Sequence, residues 1–280
     1  MTQNETEVRV NSWKDFIALT LGYQIGHPRR FGHFFRGQAD ARWGLVPSLV
    51  RQVETQHLDA AHALEIELSA IIEFQKAAGL YLPQTLNLPE NDLATWWTYM
   101  QHHGVPTRLL DWTTSPFVAA YFAVEREGED PDGAVWIINF ALIEESLRSH
   151  HPKFMPRPEG NFHGPDWNNP NVVLSLFRDP QAEATLTSAT PSRQTDRMIA
   201  QQTVSMMSPQ ILAKHDAIID KAVPAEQRAA ACKKLIISSD CETEFMRQLR
   251  RMNITGATLF PGIDGFGRSV RELIALDCRG

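Results

Sequence analysis

Cysteine is scarce in this chain. The three among 280 residues, Cys232, Cys241 and Cys278, all fall in the last fifth and show no C-x-x-C spacing. That supports neither a disulfide framework nor a cysteine zinc site, and it points to a reducing cytoplasm. Long apolar runs are missing as well. No stretch reaches the roughly 20 residues that a membrane-spanning helix needs, and the opening MTQNETEVRV lacks the basic-then-apolar pattern of a signal peptide, so no membrane partner is expected. Neither charge sign dominates. Lys and Arg total 27 against 33 Asp and Glu, and the net charge of −6 argues against a broad nucleic-acid surface while leaving room for a local basic groove. The common catalytic signatures are absent too: there is no G-x-S-x-G, no H-E-x-x-H, no Walker loop and no G-x-G-x-x-G after a strand. No metal is expected.

What is present reads as one soluble globular unit, with 43% hydrophobic and 21% charged residues. Ser12 with Asp15 marks a helix start, and FGHFFRGQ (31–38) reads as a buried strand entering a turn. Leu64, Leu68, Ile71 and Ile72 recur at helical spacing up to Gly79, which is expected to close that helix. A second helix starts at Asn91 or Asp92 and stops at Gly104. Thr107 to Trp112 reads as a short strand after Pro106. Ser115-Pro116 then opens a helix that puts Phe117, Ala120, Tyr121 and Val124 on one stripe. AVWIINF (134–140) and KLIIS (234–238) read as strands, and Arg197 to Met206 as a strand pair or bend. Ser208-Pro209 is expected to start a helix, Ser239 with Glu242 to form a capping box, Gly256 to end that helix, and a last helix to run over Val270, Leu273 and Ile274. Prolines and polar residues crowd 152–195, so an irregular insertion or lid is expected at about 145–195, with one short strand near Val172 to Phe177. Helices and strands do not alternate regularly, and the fold class is α+β.

Several polar groups invite a functional reading. His102 and His103 end a helix, but adjacent helical side chains point about 100° apart and rarely share one metal. A histidine favoured by the helix dipole explains them equally well. RQLRR (247–251) reads first as a solvated helix face. Two clusters resist such plain readings better. In Phe35-Arg36-Gly37-Gln38 a guanidinium follows an aromatic run, and a buried arginine needs an anion or ligand, or a salt bridge with Asp111 or Asp40. Between Arg108 and Ser115 lie Asp111, Trp112, Thr113 and Thr114, a polar strand leading straight into a helix N-terminus. Such a junction favours anions, because free amides and the helix dipole point outward.

FFRGQ, RWGLVPSLVR, QHHGVPTRLLDWTTSPFVAAYFA and ATLFPGIDG, in that order, closely resemble the FRG-domain family from about Phe31 to Gly265, so 1–280 reads as a single FRG domain. An early arginine followed by a Ser/Thr-rich strand and an A-x-x-F-A helix also resembles the ADP-ribosyltransferase superfamily. That resemblance implies a split β-sheet core with flanking helices and NAD as the substrate. Arg36 would take the role of the arginine on the NAD phosphates or ribose, with Asp111, Thr113, Thr114 and Ser115 on the polar strand. Gly37, Gln38, His103 and Arg108 of the same motifs would join the NAD site. The superfamily's later E-x-E has no counterpart here. Ile199-Ala200-Gln201-Gln202 is the nearest stretch, with Gln201 or Gln202 in the carboxylate's place and Gln202 carried as the catalytic candidate. A neutral amide can hydrogen-bond a ribose hydroxyl but cannot stabilise an oxocarbenium ion by charge. Either Asp111 supplies the acid or the activity is unusual or lost. The implied function is an NAD-dependent ADP-ribosyltransferase, as an intracellular toxin or anti-phage effector, modifying RNA, DNA or protein and neutralised by an antitoxin. A non-catalytic nucleotide sensor and an NAD glycohydrolase are the alternatives.

Overall fold

The computed structural model describes residues 6–23, 32–82, 88–125, 131–150, 177–189 and 191–278. Seven strands among them form one sheet: β1 Glu7–Val10, β2 His33–Gln38, β3 Leu110–Thr113, β4 Gly133–Asn139, β5 Thr187–Ala189, β6 Thr203–Met207 and β7 Cys232–Ile237. Their order is β1-β7-β4-β2-β3-β6-β5. Only β1 and β7 run parallel; every other neighbour pair is antiparallel. The helices used below are α1 Trp13–Thr20, α2 Ser48–Thr55, α3 Ala60–Tyr81, α4 Leu93–His102, α5 Pro116–Val124, α6 Phe140–His150, α7 Asp196–Gln201, α8 His215–Ala222, α9 Glu242–Arg251, α10 Gly256–Leu259 and α11 Ile263–Cys278. The architecture is mixed α+β, with helices flanking the sheet.

Period-two alternation explains why both faces of the sheet are covered. Successive strand side chains point to opposite faces, so Phe34 and Phe35 of β2 enter different cores. Phe35 joins Val135, Ile137, Leu235 and Ile237 under α5, with Phe16 of α1 and Phe245 of α9 behind. Phe34 joins Leu110, Trp112, Ile138 and Met206 against Ile143 of α6 and Ile218 of α8. A third core sets Trp97 and Met100 of α4 and Ile71 of α3 against Leu109 and Met207. The helix α5 is apolar nearly all round, with Val118, Ala119, Ala120, Tyr121, Ala123 and Val124 buried, as befits a helix with no solvent face. Its small residues let it lie close on the sheet. A Cβ on Gly37 would sit 1.9 Å from the Ala119 carbonyl oxygen, and one on Gly133 2.1 Å from that of Ala123.

The ladders are uneven. β2 and β4 match residue for residue from His33↔Asn139 to Gln38↔Ala134, and β3 with β6 from Leu110↔Met206 to Thr113↔Thr203. Between β2 and β3 the one register pair is Phe35↔Thr113. The strands part beyond it, so the β1-β7-β4-β2 portion and the β3-β6-β5 portion are joined at a narrow seam.

Caps read from the sequence form as expected at three helices. Ser12 Oγ accepts from Asp15 N at 3.1 Å, an Asp92 carboxylate oxygen from Thr95 N at 3.2 Å, and Ser115 Oγ from Val118 N at 3.3 Å. Other punctuation differs. Gly79 lies inside α3, which runs on until Leu82, the residue before Pro83, turns extended at ψ 146°. Ser239 does not cap α9, because a 3-10 turn from Ser239 to Cys241 precedes it. Gly256 begins α10 instead of ending α9; the chain turns before it at Asn253, with φ +60°, and Thr255 and Thr258 form a reciprocal capping box. The stretch Arg197 to Met206 divides into the end of α7 and the start of β6. No helix starts at Ser208-Pro209; the next is α8 at His215. Helices α2 and α6 and strands β1 and β5 were not expected. Of the expected 145–195 insertion, the described parts hold the end of α6 and β5, while 151–176, with most of the strand expected near Val172 to Phe177, lies outside the described residues.

One buried ion pair ties the helical layer to the sheet. Arg108 is almost wholly buried, and Nε donates to Glu67 Oε1 at 2.9 Å and Oε2 at 3.0 Å, with Nη2 also on Oε2. Nη1 donates to the Pro209 carbonyl at 2.9 Å, and the guanidinium stacks 5.0 Å from each of the Trp97 and Phe177 ring centres. Removing one charge leaves the other buried without compensation. Glu67→Gln is therefore expected to cost about 3–5 kcal/mol of stability, read as a lower urea midpoint at unchanged slope. A loss below about 1 kcal/mol would show that the pair is solvated enough to be dispensable.

Candidate active site

The seam between β2 and β3 opens into a cleft of about 280 Å3. Its walls include Arg36 and Gly37 of β2, Asp111 and Thr113 of β3, Ser48 and Arg51 of α2, Gln101 of α4, and Arg197 and Gln201 of α7. Parting strands expose backbone groups that a ladder would satisfy, and a side chain takes over that task here. Arg36 Nη1 donates to the Asp111 carbonyl oxygen at 2.6 Å. The same guanidinium keeps one donor in reserve, since Arg36 Nε is buried without a hydrogen-bond partner. A buried N–H left unpaired costs free energy, and an anionic ligand would recover it. Burial lowers the Arg36 pKa to about 10, with Asp111 opposing the shift and Arg51 adding to it, so the group stays cationic at neutral pH.

The Asp111 carboxylate is held on both sides. Oδ1 accepts from Ser205 Oγ at 2.6 Å, and Oδ2 accepts from Gln101 Nε2. Gln101 is oriented in turn by Thr107 Oγ1, which donates to Gln101 Oε1 at 2.5 Å. Ser205 stands directly opposite Asp111 in the β3–β6 register. A carboxylate with such fixed donors keeps one geometry, which is what a charge aimed at a reacting centre requires. Across from it, Arg197 of α7 lies with its guanidinium 4.6 Å from the centre of the Phe260 ring. Burial lowers its pKa, against the attraction of Asp111. Gln201 Nε2 donates to the Leu259 carbonyl at 3.0 Å, pinning the cleft edge of α7 to α10. Three arginines thus converge on a cleft with one fixed carboxylate, an arrangement suited to a ligand with a diphosphate at one end and a reacting, positively charged centre at the other.

The residues singled out in the sequence separate into two groups. Arg36, Gly37, Asp111 and Thr113 line the cleft. The others lie elsewhere. Gln38 lies on the same face of β2 as Arg36 but outside the cleft lining; its Nε2 donates to the Gly44 carbonyl at 3.0 Å and its Oε1 accepts from Trp136 Nε1 at 2.7 Å. Thr114 Oγ1 donates to Gln202 Oε1 at 2.9 Å. Gln202 is exposed, because its left-handed φ of +51° at the end of α7 swings it away and leaves Gln201 facing in. Ser115 is spent on the α5 cap. His103 is exposed, its ring 6.2 Å from Phe74, and Arg108 is committed to Glu67. Conversely, Ser48, Arg51, Gln101 and Arg197 line the cleft without having been singled out for it, and Gln201, the other amide weighed for the carboxylate's place, lines it where Gln202 does not. Gln101 carried a signal as the first residue of QHHGVPTRLLD, and Ser48 and Arg51 as members of RWGLVPSLVR; Arg197 lay in no quoted family motif.

Residues 32–132 match the family model of the FRG domain. That segment supplies β2, α2 to α5 and β3, and with them Arg36, Arg51, Gln101 and Asp111; Arg197, Gln201 and Ser205 come from beyond it. No curated protein and no solved structure matches the chain. Among the described residues no helix is long and apolar enough to cross a membrane.

The cleft's shape depends on α5 lying against β2 at Gly37. Gly37→Ala places a methyl group against backbone, 1.9 Å from the Ala119 carbonyl oxygen. It is expected to cost about 1–3 kcal/mol and lower the melting temperature followed by circular dichroism. An unchanged melting temperature would show that α5 lifts off β2 freely.

Proposed function

We propose, from the FRG-domain match and the cleft geometry, that this chain is an NAD-dependent ADP-ribosyltransferase. The observation that carries the reading is the convergence of Arg36, Arg51 and Arg197 on a buttressed Asp111 at the seam where β2 and β3 part. The guanidiniums would hold the diphosphate, with the unpaired Nε of Arg36 as one donor. Asp111 would face the ribose bonded to nicotinamide. As the bond from C1′ to the nicotinamide nitrogen breaks, its electron pair neutralises the pyridinium and nicotinamide leaves. Positive charge grows on C1′ and the ring oxygen, and a fixed carboxylate beside it lowers the barrier. A lone pair on the acceptor then forms the new bond to C1′, and the acceptor's proton departs. The role the resemblance gave to Gln202 passes to Asp111, with Gln201 as the amide available to a ribose hydroxyl. On this reading the narrow β2–β3 seam corresponds to a split-sheet core of the ADP-ribosyltransferase kind. The acceptor is a macromolecule, and the setting is that of a toxin or anti-phage effector.

The test uses purified protein, NAD labelled on its adenylate and a cell lysate. Label on macromolecules supports the transferase, free ADP-ribose alone identifies a glycohydrolase, and binding without nicotinamide release identifies a sensor. Arg36→Ala and Asp111→Asn are each expected to lower the labelling rate by about 10²–10³-fold. Labelling left unchanged by both substitutions would place the chemistry outside this cleft.

A further inference from the structure

A second, smaller chamber of about 90 Å3 lies behind Asp111. Thr98, Gln101, His102, Asp111, Thr195, Met198 and Ser205 are among the residues lining it, and Asp111, Gln101, Arg197, Gln201 and Thr203 border both spaces. The carboxylate therefore stands in the partition, open to the larger cleft on one side and to a hydroxyl-lined recess on the other. His102 reaches the recess and not the cleft. It is half-buried at the end of α4, with Nδ1 3.5 Å from Thr195 Oγ1. The recess has space for a few water-sized groups but not for a nucleotide.

We infer that this side chamber receives the acceptor as an aliphatic hydroxyl, and that His102 takes that hydroxyl's proton. The inference rests on the transferase reading and names the acceptor chemistry of the same site. Charge selects the class. Arg197 and Asp111 line the recess together and attract one another, so a charged acceptor of either sign meets one like charge, whereas a neutral O–H meets none and finds the hydroxyls of Thr98, Thr195 and Ser205. A hydroxyl is a weak nucleophile and needs a base. The balance is complete without a further reactant. The hydroxyl oxygen forms the bond to C1′, nicotinamide leaves with the electron pair of the broken C1′–N bond, and the proton goes to the unprotonated ring nitrogen of His102. The groups facing that ring keep it available. Burial first, then Arg197 and His103, lower its pKa below the usual histidine value, with Asp196 of α7 opposing them; Asp111 of β3 lines the same chamber.

His102→Gln is expected to lower transfer at pH 7.5 by about 10²-fold, while the Kd for NAD measured by calorimetry moves less than about threefold, within the scatter of a lost peripheral contact. The parent's rate should fall on the acid side, at a pH below the usual histidine range, as the imidazole protonates, and the variant should lack that limb. Met198→Phe, which narrows the chamber from a position outside the larger cleft, should also lower transfer more than NAD affinity. Label on the product should resist neutral hydroxylamine, as an O-glycosidic bond does. Release by nuclease or by protease tells nucleic acid from protein, and mass spectrometry of the released fragment should then find the label on a ribose hydroxyl or on a serine or threonine side chain. Three results overturn the inference alone: hydroxylamine-sensitive label, a folded His102→Gln protein retaining more than about a third of parental transfer, or a variant that keeps the parent's acidic limb. Nicotinamide release without any macromolecular label overturns the transferase reading along with it and identifies a glycohydrolase. No nicotinamide release by the parent overturns the transferase reading and this inference together.

Discussion

A single charged hydrogen bond spans the gap around which this protein is arranged. β2 and β3 are neighbours that pair at one position, Phe35↔Thr113, and Arg36 Nη1 bridges their separation by donating to the Asp111 carbonyl. Full pairing would close the cleft with backbone hydrogen bonds and leave no room for a guanidinium. The missing ladder and the cleft are therefore one feature. Arg36 satisfies a carbonyl that would otherwise be orphaned, and its cationic head is thereby fixed in the wall of the space it helps to open.

Arg36 and Arg108 show how surroundings give one residue type two uses. Arg108 has a carboxylate, carbonyl oxygens and two aromatic faces within reach, so its donors are occupied and its charge is balanced. Arg36 has a carbonyl on one nitrogen and an unpaired Nε. The first arrangement binds layers together; the second leaves capacity for a ligand. The motif QHHGVPTRLLD serves both ends. Thr107 and Gln101 form a relay of hydrogen bonds that orients Asp111, while Arg108 anchors the same segment to α3. The strand can present a fixed carboxylate because its neighbours in sequence are tied down elsewhere.

Much of the local structure was legible because its causes are local. Ser12, Asp92 and Ser115 cap helices through bonds to amides three residues on, which spacing alone reveals. Phe34 and Phe35 identify a strand buried on both faces. Punctuation failed where a longer-range or neighbouring effect prevailed. Gly79 looked like a helix end, but Pro83 sets the boundary of α3. Gly256 looked like another, but Thr255 and Thr258 turn it into a helix start. The short strands β1 and β5 carry too little apolar pattern to be read alone and exist because longer strands offer them an edge.

The sequence by itself determined the mixed α+β class, three of the helix caps, and the placing of Arg36 and Asp111 on two strands, because each follows from nearest neighbours or from a contiguous motif. Tertiary structure decided which polar residues face the cleft. Glu67, 41 residues before Arg108, removed that arginine from the site. One left-handed residue exchanged Gln202 for Gln201. Arg197 and Ser205, roughly ninety residues beyond Asp111, entered only because β6 pairs with β3 and carries α7 to the rim of the cleft. Strand register and helix phase, neither of which is encoded within one short segment, set those outcomes.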